Sequence, residues 1–254
     1  MMLKLISATA LLLTGMESLG STAAPDCEPA TFEAWSTVFD AAGNSQSNHD
    51  RSAQYCFFDG RADLVEYRSL DANGRAVFHG VSVTIWNAER SGGRTLWAMV
   101  GVDGWTDIQV HWQDRQLVST GQGHDPEGAF DERWTTTFTP GGDQHFVMDR
   151  SFDGGQTWVA PKNIIEYLKS TALPGPLPGE WSPQLAAFAP GLVDDGGMII
   201  LDGNAWGKFI ANDSGEPVGF VFVSVAPKDG GWVWRTLAWT IDDGVTDVAD
   251  TPLN

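Results

Sequence analysis

Asp59-Gly60, Asn73-Gly74, Val81-Ser82-Val83, Trp97 and Asp103-Gly104 form a series that this chain states twice. It returns as Asp202-Gly203, Ser214-Gly215, Val223-Ser224-Val225, Trp239 and Asp243-Gly244. Matching residues stay 140 to 143 positions apart, and Arg94-Thr95-Leu96 recurs in step as Arg235-Thr236-Leu237. A turn pair, a β-rich run, a second turn and a Trp-bearing strand therefore occur twice in one order. Such self-similarity marks a duplicated β unit. The second copy stops about halfway through the first.

Outward from that series, the first copy resolves into eight β runs. They are Tyr55–Leu70, Val77–Trp86, Arg94–Gly101, Asp107–Gln113, Gln116–Gly123, Asp131–Thr139, Asp143–Arg150 and Thr157–Lys169. Turn signals join them at Asn73-Gly74, Ser91-Gly92-Gly93, Gly141-Gly142 and Asp153-Gly154-Gly155. Eight sequential antiparallel strands close into an up-and-down barrel, which removes exposed sheet edges. A barrel of that size holds packed side chains or one small ligand. The second copy holds four runs, Met198–Asp202, Trp206–Ala211, Val218–Ala226 and Trp232–Thr240.

The expected fold is therefore all-β: an eight-stranded antiparallel barrel over residues 55–170 and a four-stranded half-repeat over residues 184–254. Four strands cannot close a barrel. They either pack on the first unit or complete a barrel with a second chain, as a homodimer. Between the units, residues 171–183 carry Pro174, Pro176, Pro178 and Pro183 and read as a stiff linker. In residues 24–54, Phe32, Trp35, Val38 and Phe39 recur at helical spacing behind Thr31, so a short helix is expected to plug one barrel end. Residues 40–53 are polar and read as loop.

Residues 1–23 read as a signal peptide. Lys4 starts it, Leu5 to Leu13 form its apolar core, and Ser21-Thr22-Ala23 is a small-residue cleavage site. The apolar run is too short for a membrane span, and no later stretch reaches about 18 apolar residues. The expectation is a periplasmic or secreted protein without a membrane span. Cys27 and Cys56 suit an oxidising compartment and are expected to pair. The net charge of −18 disfavours nucleic acid and anionic membranes. It is dispersed through turns, as a solubilising charge is.

The order Phe58-Asp59-Gly60-Arg61-Ala62, a central Trp strand, Asp107 to Trp112, Gly121-Gln122-Gly123, Arg133-Trp134 and Ser151-Phe152-Asp153-Gly154-Gly155-Gln156-Thr157-Trp158 resembles a group of bacterial lipocalin-like barrel proteins. The likeness covers roughly residues 55–170, and the second copy is similar to the first half of the same unit. The resemblance implies a fold; the group has no established common reaction. Ser151-x-Asp153-x-Gly155-x-Thr157-Trp158 is also similar to an Asp box, a hairpin motif of sialidases. A sialidase propeller needs several such boxes, and this chain has one. The box reads as a structural turn: Asp153 accepts backbone N–H bonds, the glycines permit positive φ, and Trp158 packs beneath.

Chemistry is thinly signposted. Five histidines, His49, His79, His111, His124 and His145, all lie in the first unit. None has the spacing of a metal pair, so no metal or other cofactor is expected. Asp71-Ala72-Asn73-Gly74 and Asn212-Asp213-Ser214-Gly215 look like fragments of calcium loops but lack the continuation and read as hairpin turns. There is no nucleophile elbow, phosphate loop or dinucleotide fingerprint. Twelve tryptophans is a high count; in small barrels such rings plug ends and fill cores, and their rigid faces also line sugar and ring-binding pockets. The expected function is binding of a small apolar or amphipathic molecule in or at the mouth of the barrel. Trp97, His111, Trp112, Arg133 and His145 are the candidate ligand-binding residues, because they fall on barrel strands. The alternatives are an enzyme (hydratase, isomerase or hydrolase) with polar groups in the cavity, and an assembly protein pairing through its half-repeat.

Overall fold

The computed structural model describes residues 23–175, 198–202 and 205–253. The expected leader up to residue 22, the linker beyond residue 175 and the start of the half-repeat lie outside the described residues. The chain is all-β, and its strands pair antiparallel throughout. Ten strands form one closed barrel: β1 (Ala30–Phe39), β2 (Ser45–Phe57), β3 (Ala62–Leu70), β4 (Ala76–Trp86), β5 (Gly92–Met99), β6 (Trp105–Gln113), β7 (Gln116–Asp125), β8 (Gly128–Phe138), β9 (Gln144–Ser151) and β10 (Val159–Lys169). Each pairs with its sequence neighbours, and β1 closes the ring on β10, with Phe32 opposite Lys169 and Val38 opposite Asn163.

The count of ten corrects the expected eight. The eight expected runs are β3 to β10, with the tail of β2 fused to the first. The two extra strands come from the segment read as helix and loop. Phe32, Trp35, Val38 and Phe39 satisfy a helical period, yet strand alternation wins. Phe32, Ala34 and Ser36 turn inward and are buried, while Trp35 is 48% exposed on the outside. The run Ser45–Phe57, polar as far as Ser52, is a strand because its inward side chains Gln46, Asn48, Ser52 and Gln54 line a cavity and not a dry core, with Asp50 fully buried among them. Over Ser45–Ser52 both faces are polar, so there is no hydrophobic alternation to read. Backbone pairing with β1 and β3 on both sides holds it.

The second unit is one sheet in the order β11 (Met198–Asp202), β12 (Ala205–Ala211), β13 (Pro217–Lys228), β14 (Gly231–Thr240) and β15 (Gly244–Pro252). The first four are the four expected strands, and β15 extends them. Among the described residues no helix is long and apolar enough to cross a membrane.

The duplication is visible in the turns. Asp71 Oδ1 accepts the backbone N–H groups of Asn73 and Arg75, at 2.8 and 2.9 Å. Asn212 Oδ1 does the same for Ser214 and Glu216, at 3.1 and 3.0 Å. Gly74 and Gly215 follow with φ of +77° and +80°, a conformation that costs glycine little. Both calcium-loop look-alikes are thus hairpin turns.

The sheet docks on the outside of the barrel. Leu64, Val81, Val83, Ile85, Leu96 and Ala98 of the barrel form one buried cluster with Leu201, Phe220, Phe222, Leu237 and Trp239 of the sheet. Phe209 packs against both Phe57 and Phe58. The polar contacts at the seam are reciprocal between the two copies. Arg94 grips Asp107 and donates to the carbonyls of Ile241 and Asp242, both at 3.0 Å. Its counterpart Arg235 grips Asp250 and reaches back to Asp103 at 2.9 Å. Each copy's arginine therefore holds the same loop of the other copy. The half-repeat buries its apolar face against its own barrel.

Candidate functional site

Strand alternation builds the site, since every second residue of each barrel strand points inward. The interior is a cavity of about 760 Å³. Its aromatic wall comes from neighbouring strands: Tyr67 of β3, Phe78 of β4, Trp97 of β5 and Tyr167 of β10. Ring centroids lie 6.1 Å apart for Tyr67–Trp97, 6.2 Å for Tyr67–Phe78 and 6.5 Å for Tyr67–Tyr167. Trp112 lies among the lining residues toward the end that the N-terminal segment covers. At that end Ala24 to Cys27 also line the cavity. A Cys27–Cys56 disulfide and Arg90 pin the segment, with Arg90 Nε and Nη2 donating to the Pro25 carbonyl at 3.1 and 2.8 Å. Toward the opposite end the lining includes exposed Gln46 and Val77, the latter 66% exposed.

The interior is not apolar throughout. Arg150 is buried between Asp125 and Glu132, bonding both, and its guanidinium stacks 3.7 Å from the Phe130 ring centroid. The Trp134 indole donates to Glu132 at 3.0 Å. Burial pushes the Glu132 carboxyl up, and the Arg150 charge opposes that shift. Asp63 accepts from the Trp86 indole at 2.7 Å. Burial pushes its carboxyl up to about 6, against the Trp86 hydrogen bond and the charge of Arg90. Deeper along β2 sits Asp50, fully buried.

The Asp63 shift has a measurable sign. A carboxyl whose folded pKa of about 6 exceeds its ordinary 3.8 binds its proton more tightly when folded. The resulting stabilisation is full below pH 3.8 and is lost as pH rises through 6. Above that range the ionised group is a burden of about 2–3 kcal/mol, at ~1.4 kcal/mol per pKa unit. Asp63→Asn keeps an acceptor for the Trp86 indole. It is expected to stabilise the protein by about 1–3 kcal/mol at pH 8, with the gain vanishing by about pH 4. Urea denaturation at a series of pH values checks this; a gain independent of pH would show that Asp63 does not ionise in the native state.

The expected ligand residues divide by strand parity. Trp97 and Trp112 line the cavity. His111, Arg133 and His145 are odd-numbered residues of β6, β8 and β9 and point outward. His111 is exposed; His145 pairs with Glu166 at 2.6 Å; Arg133 bonds Asp149 at 2.8 Å and stacks 4.4 Å from the Trp158 ring centroid. The five therefore do not converge. A one-residue step reverses the face in a strand, and in β6, β8 and β9 it is the even positions, such as Trp112, Trp134 and Phe146, that line the cavity.

Near Arg133, the turn that follows β9 is closed by its own polar groups. Asp153 Oδ1 accepts from the backbone of Gln156 and Thr157 at 3.0 and 2.8 Å, and Asp153 Oδ2 from the Thr157 hydroxyl at 2.6 Å. The Ser151 hydroxyl accepts from Gly155 N at 2.9 Å, and the Trp158 indole donates to the Gly155 carbonyl at 3.1 Å. The Thr157 bonds, then Ser151, hold the Asp153 carboxyl down at about 2. The side-chain oxygens of Ser151, Asp153 and Thr157 are all committed to the turn.

Sequence reasoning passed over Asp50, Asp63, Tyr67, Glu132, Arg150 and Tyr167. Asp63 had a signal, a charge between Ala62 and Leu64 in an apolar strand. Asp50 had none, because its neighbours Asn48, His49, Arg51 and Ser52 are polar too. Among the described residues no three His, Cys, Asp or Glu side chains come together as a metal site would need. Comparison of the chain with protein-family models and with curated proteins gave no match to either.

Proposed function

We propose that this is an exported lipocalin-like binding protein that holds a small apolar or amphipathic molecule inside its barrel. The cavity carries the reading. About 760 Å³ lies within the range of small-molecule sites, and large rings share its wall with polar and charged side chains, as suits an amphipathic guest. Export fits the disulfide, since such bonds persist in oxidising compartments. The neutral fluorescent probe N-phenyl-1-naphthylamine tests the reading. It is expected to bind saturably at one site per chain, and Trp97→Ala, which removes one aromatic wall, to weaken it about tenfold or more. Arg133→Ala, outside the barrel, is expected to leave binding unchanged. Absence of saturable binding to a folded protein would sink the proposal.

Asp63 and Glu132 favour a second reading, an enzyme of the hydratase, isomerase or hydrolase type. Two buried carboxyls with raised pKa values line one cavity, and groups so tuned serve acid–base chemistry near neutral pH. Glu132 is also tied to Arg150 and Trp134 as a structural ion pair is, so binding is the preferred reading.

A further inference from the structure

Charge inside the barrel is already matched. Three cations line the cavity among the described residues, and each is engaged. Arg150 bonds Asp125 and Glu132, Arg90 donates to the carbonyls of Pro25 and Gly60, and Lys162 meets Glu127 at 3.7 Å. The buried carboxylates of the lining are engaged as well, since Asp63 accepts from the Trp86 indole and Asp125 and Glu132 share Arg150. A charged guest would gain a partner here only by breaking one of these pairs and stranding a buried charge, which is costly.

What the wall leaves open is neutral. Asn163 lines the cavity, and its Oδ1 is buried without a hydrogen-bond partner. A buried acceptor in that state calls for a donor. Asn163 belongs to one continuous row of paired residues. Ser119 stands opposite Trp134, Trp134 opposite Met148, Met148 opposite Asn163, Asn163 opposite Val38, and Val38 opposite the rim residue Gln46. All six line the cavity. Neighbouring strands lie about 4.8 Å apart, so an indole face, a hydroxyl and two amides share one band of wall. The Trp134 ring is half-buried and its N–H is spent on Glu132 at 3.0 Å, so it offers a guest a face and not a donor. That band matches a sugar ring. A pyranose has an apolar C–H face that packs flat on an aromatic ring, and a rim of hydroxyls that both donate and accept. The Asn163 carbonyl takes a donated proton, which neither a carboxylate nor a quaternary ammonium has to give. Toward the plugged end the wall turns apolar, where Trp86, Val110 and Trp112 pack with Ala24.

We infer that the ligand is a glycoside, a neutral sugar head on an apolar body, with the head seated on the band of Ser119, Trp134 and Asn163 and the body directed to the plugged end. This names the ligand class for the cavity proposed above and rests on that proposal. Four probes with one ten-carbon tail separate the two ideas: decyl glucoside, 1-decanol, decanoate and decyltrimethylammonium. Each is titrated by calorimetry, below its aggregation concentration, into the mature chain at physiological ionic strength. Decyl glucoside is expected to bind at least about tenfold tighter than decanol, and both charged probes more weakly than decanol. Asn163→Leu, which keeps the bulk and removes the amide, is expected to cut the glucoside preference about fivefold or more, with decanol within about twofold of wild type and an unchanged circular dichroism spectrum. Should that variant not fold, the order of the four probes on wild-type protein still decides the head group. Decanol binding within about tenfold of the glucoside would overturn the sugar head and leave the binding reading intact. A charged probe binding more tightly than decanol would overturn the neutral head. A preference that survives in folded Asn163→Leu would overturn the place given to Asn163. No binding of the four, with N-phenyl-1-naphthylamine still bound, would overturn this inference alone; no binding of any of the five would overturn both.

Discussion

Trp239→Ala is expected to destabilise the protein by about 3–5 kcal/mol, the range for a large aromatic lost from a filled core. Trp239 is 0% exposed and belongs to the cluster that joins the barrel to the C-terminal sheet. Its indole also donates to Asp107 at 3.1 Å, the carboxylate that Arg94 grips from the other side. Truncation therefore opens a cavity at the seam and removes one bond from the ion pair that orients Arg94 toward the loop at 241–242. Trp232 supplies the control. It lies on the same strand and is 59% exposed, and Trp232→Ala is expected to cost below about 1 kcal/mol. Urea denaturation of the two variants measures the difference. Equal midpoints would mean that the seam contributes little, and that the half-repeat is held by something other than this cluster.

Removing the disulfide, as Cys27→Ser with Cys56→Ser, is expected to cost about 3–4 kcal/mol on the chain-entropy account. The crosslink spans 29 residues, so its loss frees β1 and most of β2 in the unfolded chain. These strands close the ring between β10 and β3. The bond also fastens the segment Ala24 to Cys27 that lines one end of the cavity. Wild-type protein treated with a thiol reductant is expected to show the same urea midpoint as the double variant. A loss below about 1 kcal/mol would mean that Arg90, through its bonds to Pro25 and Gly60, already holds this end without the crosslink.

The repeat, the antiparallel meander and the pairing of Cys27 with Cys56 were legible in the sequence, because each rests on local chemistry. Asn73-Gly74 and Ser214-Gly215 specify their turns whatever lies beyond them, and β4 and β13 carry the same Val-Ser-Val step. Strand number was decided by tertiary structure. Residues 45–52 are wholly polar, and they belong to a strand because neighbouring strands satisfy their backbone and a cavity with polar lining accepts their inward face. The candidate site followed the same division. Trp97 and Trp112 turn inward to line the cavity, whereas His111, Arg133 and His145 turn outward, and strand membership alone does not reveal facing. Inward and outward were set by barrel closure and by the sheet that covers Leu64, Val83 and Leu96 on the outside. Asp50 became meaningful only once closure had buried it beside Tyr67 and Tyr167. A carboxylate is unremarkable in a polar run; once closure takes water away, a tyrosine hydroxyl from the neighbouring strand bonds it.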